Sequence, residues 1–234
     1  MTPNPVNEYA RLVVFMRDYT DALRAQSVLS TEPAQRCLER LIDTLPASRA
    51  KLLALAHFVP VEADLSHHLV GTALLCLAAG HDLGFTRLQL RDLAVTALFH
   101  DVGVAQVPQA ILQKPGVLSK EDKAVIARSR IGSIRAALFD QHLNRTTLLR
   151  AVTTFEHKGD FKAEQGVYAR LIAIVSTYHA LTSPRPYRDA YAPEVALTIM
   201  FTELRARFDP ALLRALMRVV GVPAVRIARR TVKT

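Results

Sequence analysis

Apolar residues recur at helical spacing, every three or four positions, in nearly every segment of this 234-residue chain, and alternating patterns typical of β-strands are scarce. Helix-capping patterns agree with this periodicity. Thr86 precedes Gln89 by three residues, Ser119 precedes Asp122 by three, and an aspartate-proline pair begins at Asp209. Hydrophobic residues make up 50% of the chain, which is enough for a substantial core. The sequence therefore predicts an all-α globular domain.

The predicted helices divide the chain into a lead-in and a main domain. Periodicity, prolines and caps place them at Asn7–Arg24, from Pro33, at Pro46–Phe58, Asp64–His81, Thr86 to His100, Ser119 to Leu138, Leu148–His157, Val167–Leu181, from Pro193, and from Pro210 toward Gly221. We interpret residues 1–60 as an N-terminal helical segment for dimerisation or docking, 61–222 as the main helical bundle, and 223–234 as a basic C-terminal tail.

Charge and composition narrow the function classes. The formal charge of +9 allows attraction to phosphates, but the basic tail lacks the interleaved aromatic residues of single-strand binding platforms, so we do not expect nucleic-acid binding. No long apolar run and no signal-peptide pattern occur, so we expect a cytoplasmic protein without membrane insertion. Cys37 and Cys76 lie outside any CxxC pattern and are expected to be buried free thiols.

The segment ALFHDVGVAQVPQAILQKPGVLS places His100 beside Asp101 at the end of an apolar run. An imidazole next to a carboxylate can bind one or two divalent cations, because the carboxylate can bridge and the neutral ring offers a nitrogen. Further candidate ligands lie on other predicted helices, namely His68, with Asp64 four residues before it, and His157. The alternative is a satisfied polar cluster inside a helical core.

Several motifs occur in one order along the chain: His68 one helix before HDVG, then KPGVLS, FEHK, LIAIVSTYHALTSPRPYRDAYAPEVAL and FDPALL. In this order they resemble the HD-GYP proteins of the HD phosphohydrolase superfamily, over roughly residues 64–221. The resemblance implies an HD-type helical bundle for residues 61–222. It also implies two or three metal ions, commonly iron or manganese, and hydrolysis of the bacterial messenger cyclic di-GMP.

Carried over residue by residue, the resemblance makes His68, His100, Asp101 and His157 metal ligands and Asp101 the catalytic carboxylate. The departures from the family pattern are equally specific. Arg128 and Lys158 stand where histidines are expected, Ser176 and His179 stand where aspartates are expected, Val104 replaces a lysine, and the GYP motif is missing. Neither an arginine nor a protonated lysine has a lone pair for a metal. We therefore predict one divalent cation (iron, manganese or zinc) or none.

The functional hypothesis follows from these losses. We predict a degenerate HD-GYP domain, inactive or nearly so, that acts in signalling by binding cyclic di-GMP or another signalling protein. Arg128, Lys158, Arg185 and Arg188 are the predicted ligand-binding cations, since guanidinium and ammonium groups suit phosphate. The alternative is a metal-dependent phosphodiesterase that cleaves cyclic di-GMP or a related phosphate ester. A homodimer formed through residues 1–60 is a further expectation.

Overall fold

The computed structural model describes residues 3–27, 29–58, 60, 64–114, 116–138, 144–184 and 188–222. Within these ranges the chain forms ten α-helices and two 3₁₀ turns, and no β-strand. The helices are α1 Pro5–Arg24, α2 Glu32–Ala56, α3 Leu65–Asp82, α4 Arg87–Phe99, α5 Gln109–Leu112, α6 Lys120–Leu138, α7 Arg145–Glu156, α8 Val167–Leu181, α9 Pro193–Thr202 and α10 Pro210–Val219. The 3₁₀ turns are Val102–Gln106 and Arg205–Arg207. The all-α prediction is confirmed.

The capping patterns in the sequence form where they were predicted. At the start of α4, the Thr86 side chain accepts from the Gln89 backbone N–H, while the Gln89 side chain accepts from that of Thr86. Ser119 and Asp122 exchange equivalent bonds of 3.0 and 3.1 Å at the start of α6. These bonds satisfy backbone donors that the first turn leaves free.

One prediction about helix boundaries is wrong. The prolines suggested two helices in the region of Glu32–Ala56, but α2 is continuous and carries Pro46 in its interior. Leu38, Leu45 and Leu52 repeat every seven residues, fall on one face and are fully buried. A proline removes one backbone hydrogen bond, and burial of this leucine stripe on both sides of it keeps the helix in one piece.

Helix α3 lies at the centre of the bundle. Every residue from Leu69 to Gly80 is buried, because the helix is apolar on nearly all sides and α1, α2, α4, α8 and α10 pack around it. Leu12 and Met16 of α1 and the leucine stripe of α2 belong to the same hydrophobic core. Residues of the lead-in therefore do not form a core of their own, and its proposed role in dimerisation or docking stays a prediction.

Ion pairs around a buried glutamate connect the two N-terminal helices. Glu8 on α1 is 3% exposed, and its two carboxylate oxygens accept from Arg11 at 3.0 Å and from Arg40 of α2 at 2.8 Å. Burial alone would raise the pKa of Glu8, but hydrogen bonding and charge from Arg40, with Cys37 and Arg11 adding to them, bring it below its ordinary value. The carboxylate is thus held ionised between two guanidinium groups.

Two glycines bring the 3₁₀ turn after Asp101 against α6. A Cβ at Gly103 would lie 2.0 Å from the Ser129 carbonyl oxygen, and one at Gly132 would lie 3.4 Å from the Gly103 Cα. The Gly103 N–H donates to the Ser133 hydroxyl at 2.7 Å. Because two backbones approach so closely, the chain immediately after Asp101 is fixed by α6.

Cys37 and Cys76 are free and buried, as predicted. Among the described helices, none has both the length and the apolar character needed to cross a bilayer. The basic tail, residues 223–234, lies outside the described residues.

Candidate metal centre

Three helices bring the predicted ligands together. His68 lies in the first turns of α3, His100 directly follows α4 and is succeeded by Asp101, and His157 directly follows α7. One potential ligand atom from each of His68, His100 and Asp101 lies within 4.8 Å of the other two. The His100 ring centroid is 5.7 Å from that of His68 and 5.2 Å from that of His157.

Backbone hydrogen bonds orient two of the imidazoles. His100 Nδ1 lies 2.7 Å from the Ala97 carbonyl oxygen, and His157 Nδ1 lies 3.0 Å from that of Thr153. A carbonyl oxygen only accepts, so each Nδ1 carries a hydrogen, and in the neutral form of either ring the lone pair is on Nε2. Both Nε2 atoms are buried without a hydrogen-bond partner, and they lie 3.5 and 3.4 Å from the Asp101 carboxylate oxygens.

Lys158 supplies the positive charge of this cluster. Its ammonium pairs with Asp101 Oδ2, and its side chain remains 39% exposed. Burial alone would raise the pKa of Asp101, yet Lys158 and the neighbouring His100 and His157 hold it well below its ordinary value. Burial lowers the pKa of His100 to about 4, so that ring is neutral near pH 7. The ionised carboxylate of Asp101 thus faces the Nε2 atoms of His100 and His157.

This donor set fits a divalent cation. Lone pairs on two buried nitrogens facing a carboxylate repel one another unless a cation or a proton lies between them, and both nitrogens lack a hydrogen-bond partner. His68, His100 and Asp101, with His157 beside them, could together hold one such ion. Imidazole and carboxylate ligands suit iron, manganese or zinc, and they do not single out one of these metals.

Two other side chains have different partners. Asp64 caps α3 through the backbone N–H groups of Ser66 and His67, and its second oxygen accepts from Arg17 at 2.9 Å. The carboxylate four residues before His68 therefore stabilises a helix end. Ser176, which stands where the family pattern has an aspartate, is 3.5 Å from the Ala173 carbonyl of its own helix.

The predicted ligand-binding cations have different surroundings. Lys158 lies in the cluster, while Arg128 is exposed on α6. Arg188 donates to the Ala180 and Leu181 carbonyls at 2.7 and 3.0 Å, so it caps the end of α8. Arg185 lies outside the described residues. The roles of these four cations in binding a ligand stay predictions.

Sequence reasoning gave no role to two residues beside the cluster, His179 and Gly71. His179 was noted only as a departure from the family pattern, yet its Nδ1 lies 3.1 Å from Nδ1 of His68. Gly71 lies against the His179 ring. In the sequence, Gly71 is recognisable only as a glycine one helical turn after the candidate ligand His68. Its contact with His179, more than a hundred residues away, could not be inferred from that position.

The chain is thus an all-helical bundle in which helix ends bring histidine and aspartate side chains together in one candidate metal centre. Two models described as HD domain match the chain, one over residues 65–181, half of its length, and one over residues 156–212. The chain belongs to the HD domain family.

Curated relatives are consistent with the HD-GYP resemblance. The chain is 26% identical over 215 residues to the cyclic di-GMP phosphodiesterase response regulator RpfG of Xanthomonas campestris, covering 87% of this chain and 55% of the relative. It is 27% identical over 195 residues to a cyclic di-GMP phosphodiesterase of Pseudomonas aeruginosa, covering 78% of this chain and 46% of the relative. A 3′3′-cGAMP-specific phosphodiesterase of Vibrio cholerae is 26% identical over 71% of this chain and 40% of its own. The chain spans about half the length of these relatives.

A solved structure shares the fold. Bd1817, a HDG"Y"P protein from Bdellovibrio bacteriovorus, superposes with a TM-score of 0.75 at 15% identity, covering 91% of this chain and 70% of that protein. The predicted HD-type helical bundle and the predicted resemblance to HD-GYP proteins are both confirmed. The degenerate character of the site was a separate prediction and stays one.

Proposed function

We propose that this chain is a cyclic di-GMP signalling domain that binds the dinucleotide beside a single divalent cation and does not hydrolyse it above background. The cation would be held by His68, His100 and Asp101, with His157 beside them. The observation that carries the proposal is the Lys158 ammonium on Asp101, within a cluster whose buried imidazole nitrogens otherwise suit a metal.

The chemistry of a lysine differs from that of the histidine expected at this position. An ammonium group donates hydrogen bonds and cannot ligate a metal. Lys158 therefore supplies charge on the side of Asp101 where the family pattern has a further ligand, and this argues against a pair of metal ions sharing the carboxylate. A bound divalent cation would polarise a phosphodiester and lower the pKa of a bound water.

The residues of this chain would then act by binding. Asp101 stays ionised because of its neighbours, and His100 stays neutral because it is buried. Once a divalent cation neutralises Asp101, the partly exposed Lys158 can turn its remaining donors toward a phosphate oxygen. An anionic cyclic dinucleotide would be held by charge, so its affinity should fall as salt rises.

The experiment is calorimetric titration of cyclic di-GMP into protein loaded with Mn²⁺, followed by a hydrolysis assay of the same sample. Wild type should bind the dinucleotide and show turnover no higher than buffer with Mn²⁺. The Lys158→Ala variant should bind about tenfold more weakly, since it loses a charge-assisted contact. Arg87→Ala is the matched control, because it removes an exposed cation that pairs with Asp43 on the surface. Absence of heat with folded wild type, or equal affinity for all three proteins, would refute dinucleotide binding at this site.

A metal-dependent phosphodiesterase is the second candidate. It is favoured by the three converging donor groups and by the phosphodiesterase activity in the names of the relatives. Turnover of cyclic di-GMP that disappears in Asp101→Asn would establish this activity and refute the inactive domain proposed above.

A further inference from the structure

His179 is a buried histidine whose two ring nitrogens both have neighbours. The residue is 3% exposed on α8. Its Nε2 lies 3.0 Å from the carbonyl oxygen of Ala56, at the end of α2, and its Nδ1 lies 3.1 Å from Nδ1 of His68 on α3. The ring thus connects the end of one helix with a candidate metal ligand on another.

These partners determine the hydrogen positions. The Ala56 carbonyl only accepts, so His179 Nε2 carries a hydrogen, and the Nδ1 of the neutral ring is then an acceptor. The neighbouring His68 Nδ1 must be the donor. Ser183 Oγ also lies 3.3 Å from His179 Nδ1, and its hydroxyl has a shorter contact, 2.7 Å, with the His179 carbonyl. In its neutral form, His68 then has its lone pair on Nε2.

Gly71 makes room for this arrangement. A Cβ at position 71 would lie 2.0 Å from His179 Nε2 and 3.0 Å from the Ala56 oxygen. The first distance is far inside van der Waals contact, so no other residue at this position is compatible with the ring where it lies. The glycine is one helical turn after His68, on the face that meets α8.

We propose that His179 is a positioning residue that fixes the tautomer and ring orientation of His68, so that His68 Nε2 presents its lone pair to a cation. His100 and His157 obtain the same polarity from carbonyls of their own helices. His68 is oriented instead by the imidazole of His179, which fits there because position 71 is a glycine. Partners that accept a hydrogen bond from a ligating histidine set its basicity and orientation. The inference rests on the cation site proposed above.

The experiment compares two substitutions by calorimetric titration of Mn²⁺. His179→Phe fills the space with a ring that cannot accept a hydrogen bond, and it should weaken Mn²⁺ binding about 10- to 100-fold. His179→Asn places an amide oxygen near the position of Nδ1, and it should stay within about threefold of wild type because it keeps the acceptor. Wild-type affinity in His179→Phe would overturn the proposal. Equal losses in both variants would also overturn it, since they would show that the ring only fills space.

A second measurement needs neither a variant nor a metal. Nitrogen-detected NMR of ¹⁵N-histidine-labelled, metal-free protein should show His68 with its hydrogen on Nδ1 and an unprotonated Nε2. The opposite tautomer would overturn the proposal even if both variants fail to fold. If wild type binds no Mn²⁺ while His68 has the expected tautomer, the cation site of the proposed function fails and the orienting contact of His179 stands.

Discussion

Glu8 and Asp101, two of the buried carboxylates that pair with cations in the described part of the chain, have different surroundings. Glu8 meets two guanidinium groups, which can only donate. Asp101 meets one ammonium and two imidazole nitrogens that carry lone pairs. A carboxylate surrounded by donors joins two helices. A carboxylate that faces further hydrogen-bond acceptors leaves a place for a cation. By this criterion Glu8 forms a structural ion pair, and Asp101 belongs to a candidate cation site.

The largest effect should follow removal of the charge at the site. Asp101→Asn should lower the affinity for Mn²⁺ by more than about 100-fold, because the variant loses an anionic ligand and its amide can donate to one of the free imidazole nitrogens. Calorimetric titration measures the affinity, and circular dichroism should show an unchanged helical content. If Asp101→Asn bound Mn²⁺ as tightly as wild type, Asp101 would be a structural carboxylate like Glu8 and not a cation ligand.

A smaller effect, on a different quantity, is expected at the other carboxylate. Glu8→Gln should reduce the free energy of unfolding by about 1–2 kcal/mol, since it leaves Arg11 and Arg40 without a counter-charge while both side chains keep access to water. Denaturant unfolding measures this loss. The affinity for Mn²⁺ should match wild type, and a parallel loss of both properties would show that the two clusters are coupled.

The smallest effect concerns acid. The pKa of Glu8 is lowered in the folded protein, so its contribution to stability is present above the ordinary carboxyl value of 4.5 and is lost as pH falls through the folded value. The difference in melting temperature between wild type and Glu8→Gln should therefore shrink from pH 6 toward about pH 3. A difference that stays constant over this range would indicate that Glu8 acts through packing and not through its charge.

Local features of the fold could be predicted from the sequence, and long-range ones could not. The caps at Thr86 and Ser119 use bonds between residues three apart, so the sequence contains both partners. Continuity of α2 through Pro46 depends on what its leucines pack against, and no local rule supplies that information.

The same division applies to the site. The sequence order of His68, His100, Asp101 and His157 was enough to suggest that they lie together, and the structure places them in one cluster. The contact between His68 and His179 joins residues 111 positions apart and depends on the absence of a side chain at Gly71. The capping role of Asp64 was equally hidden, because a carboxylate four residues before a histidine fits a ligand and a cap alike.

The contact between the turn at Gly103 and helix α6 has a consequence for how such a chain can change over generations. A metal ligand is one side chain, and a single substitution can replace it while the helices stay where they are. The crossing at Gly103 and Gly132 is made of backbone, and a side chain at Gly103 would have to displace the carbonyl of Ser129. The backbone frame that holds Asp101 is therefore harder to alter than the side chains around it, and a substitution at a ligand position can leave the architecture unchanged.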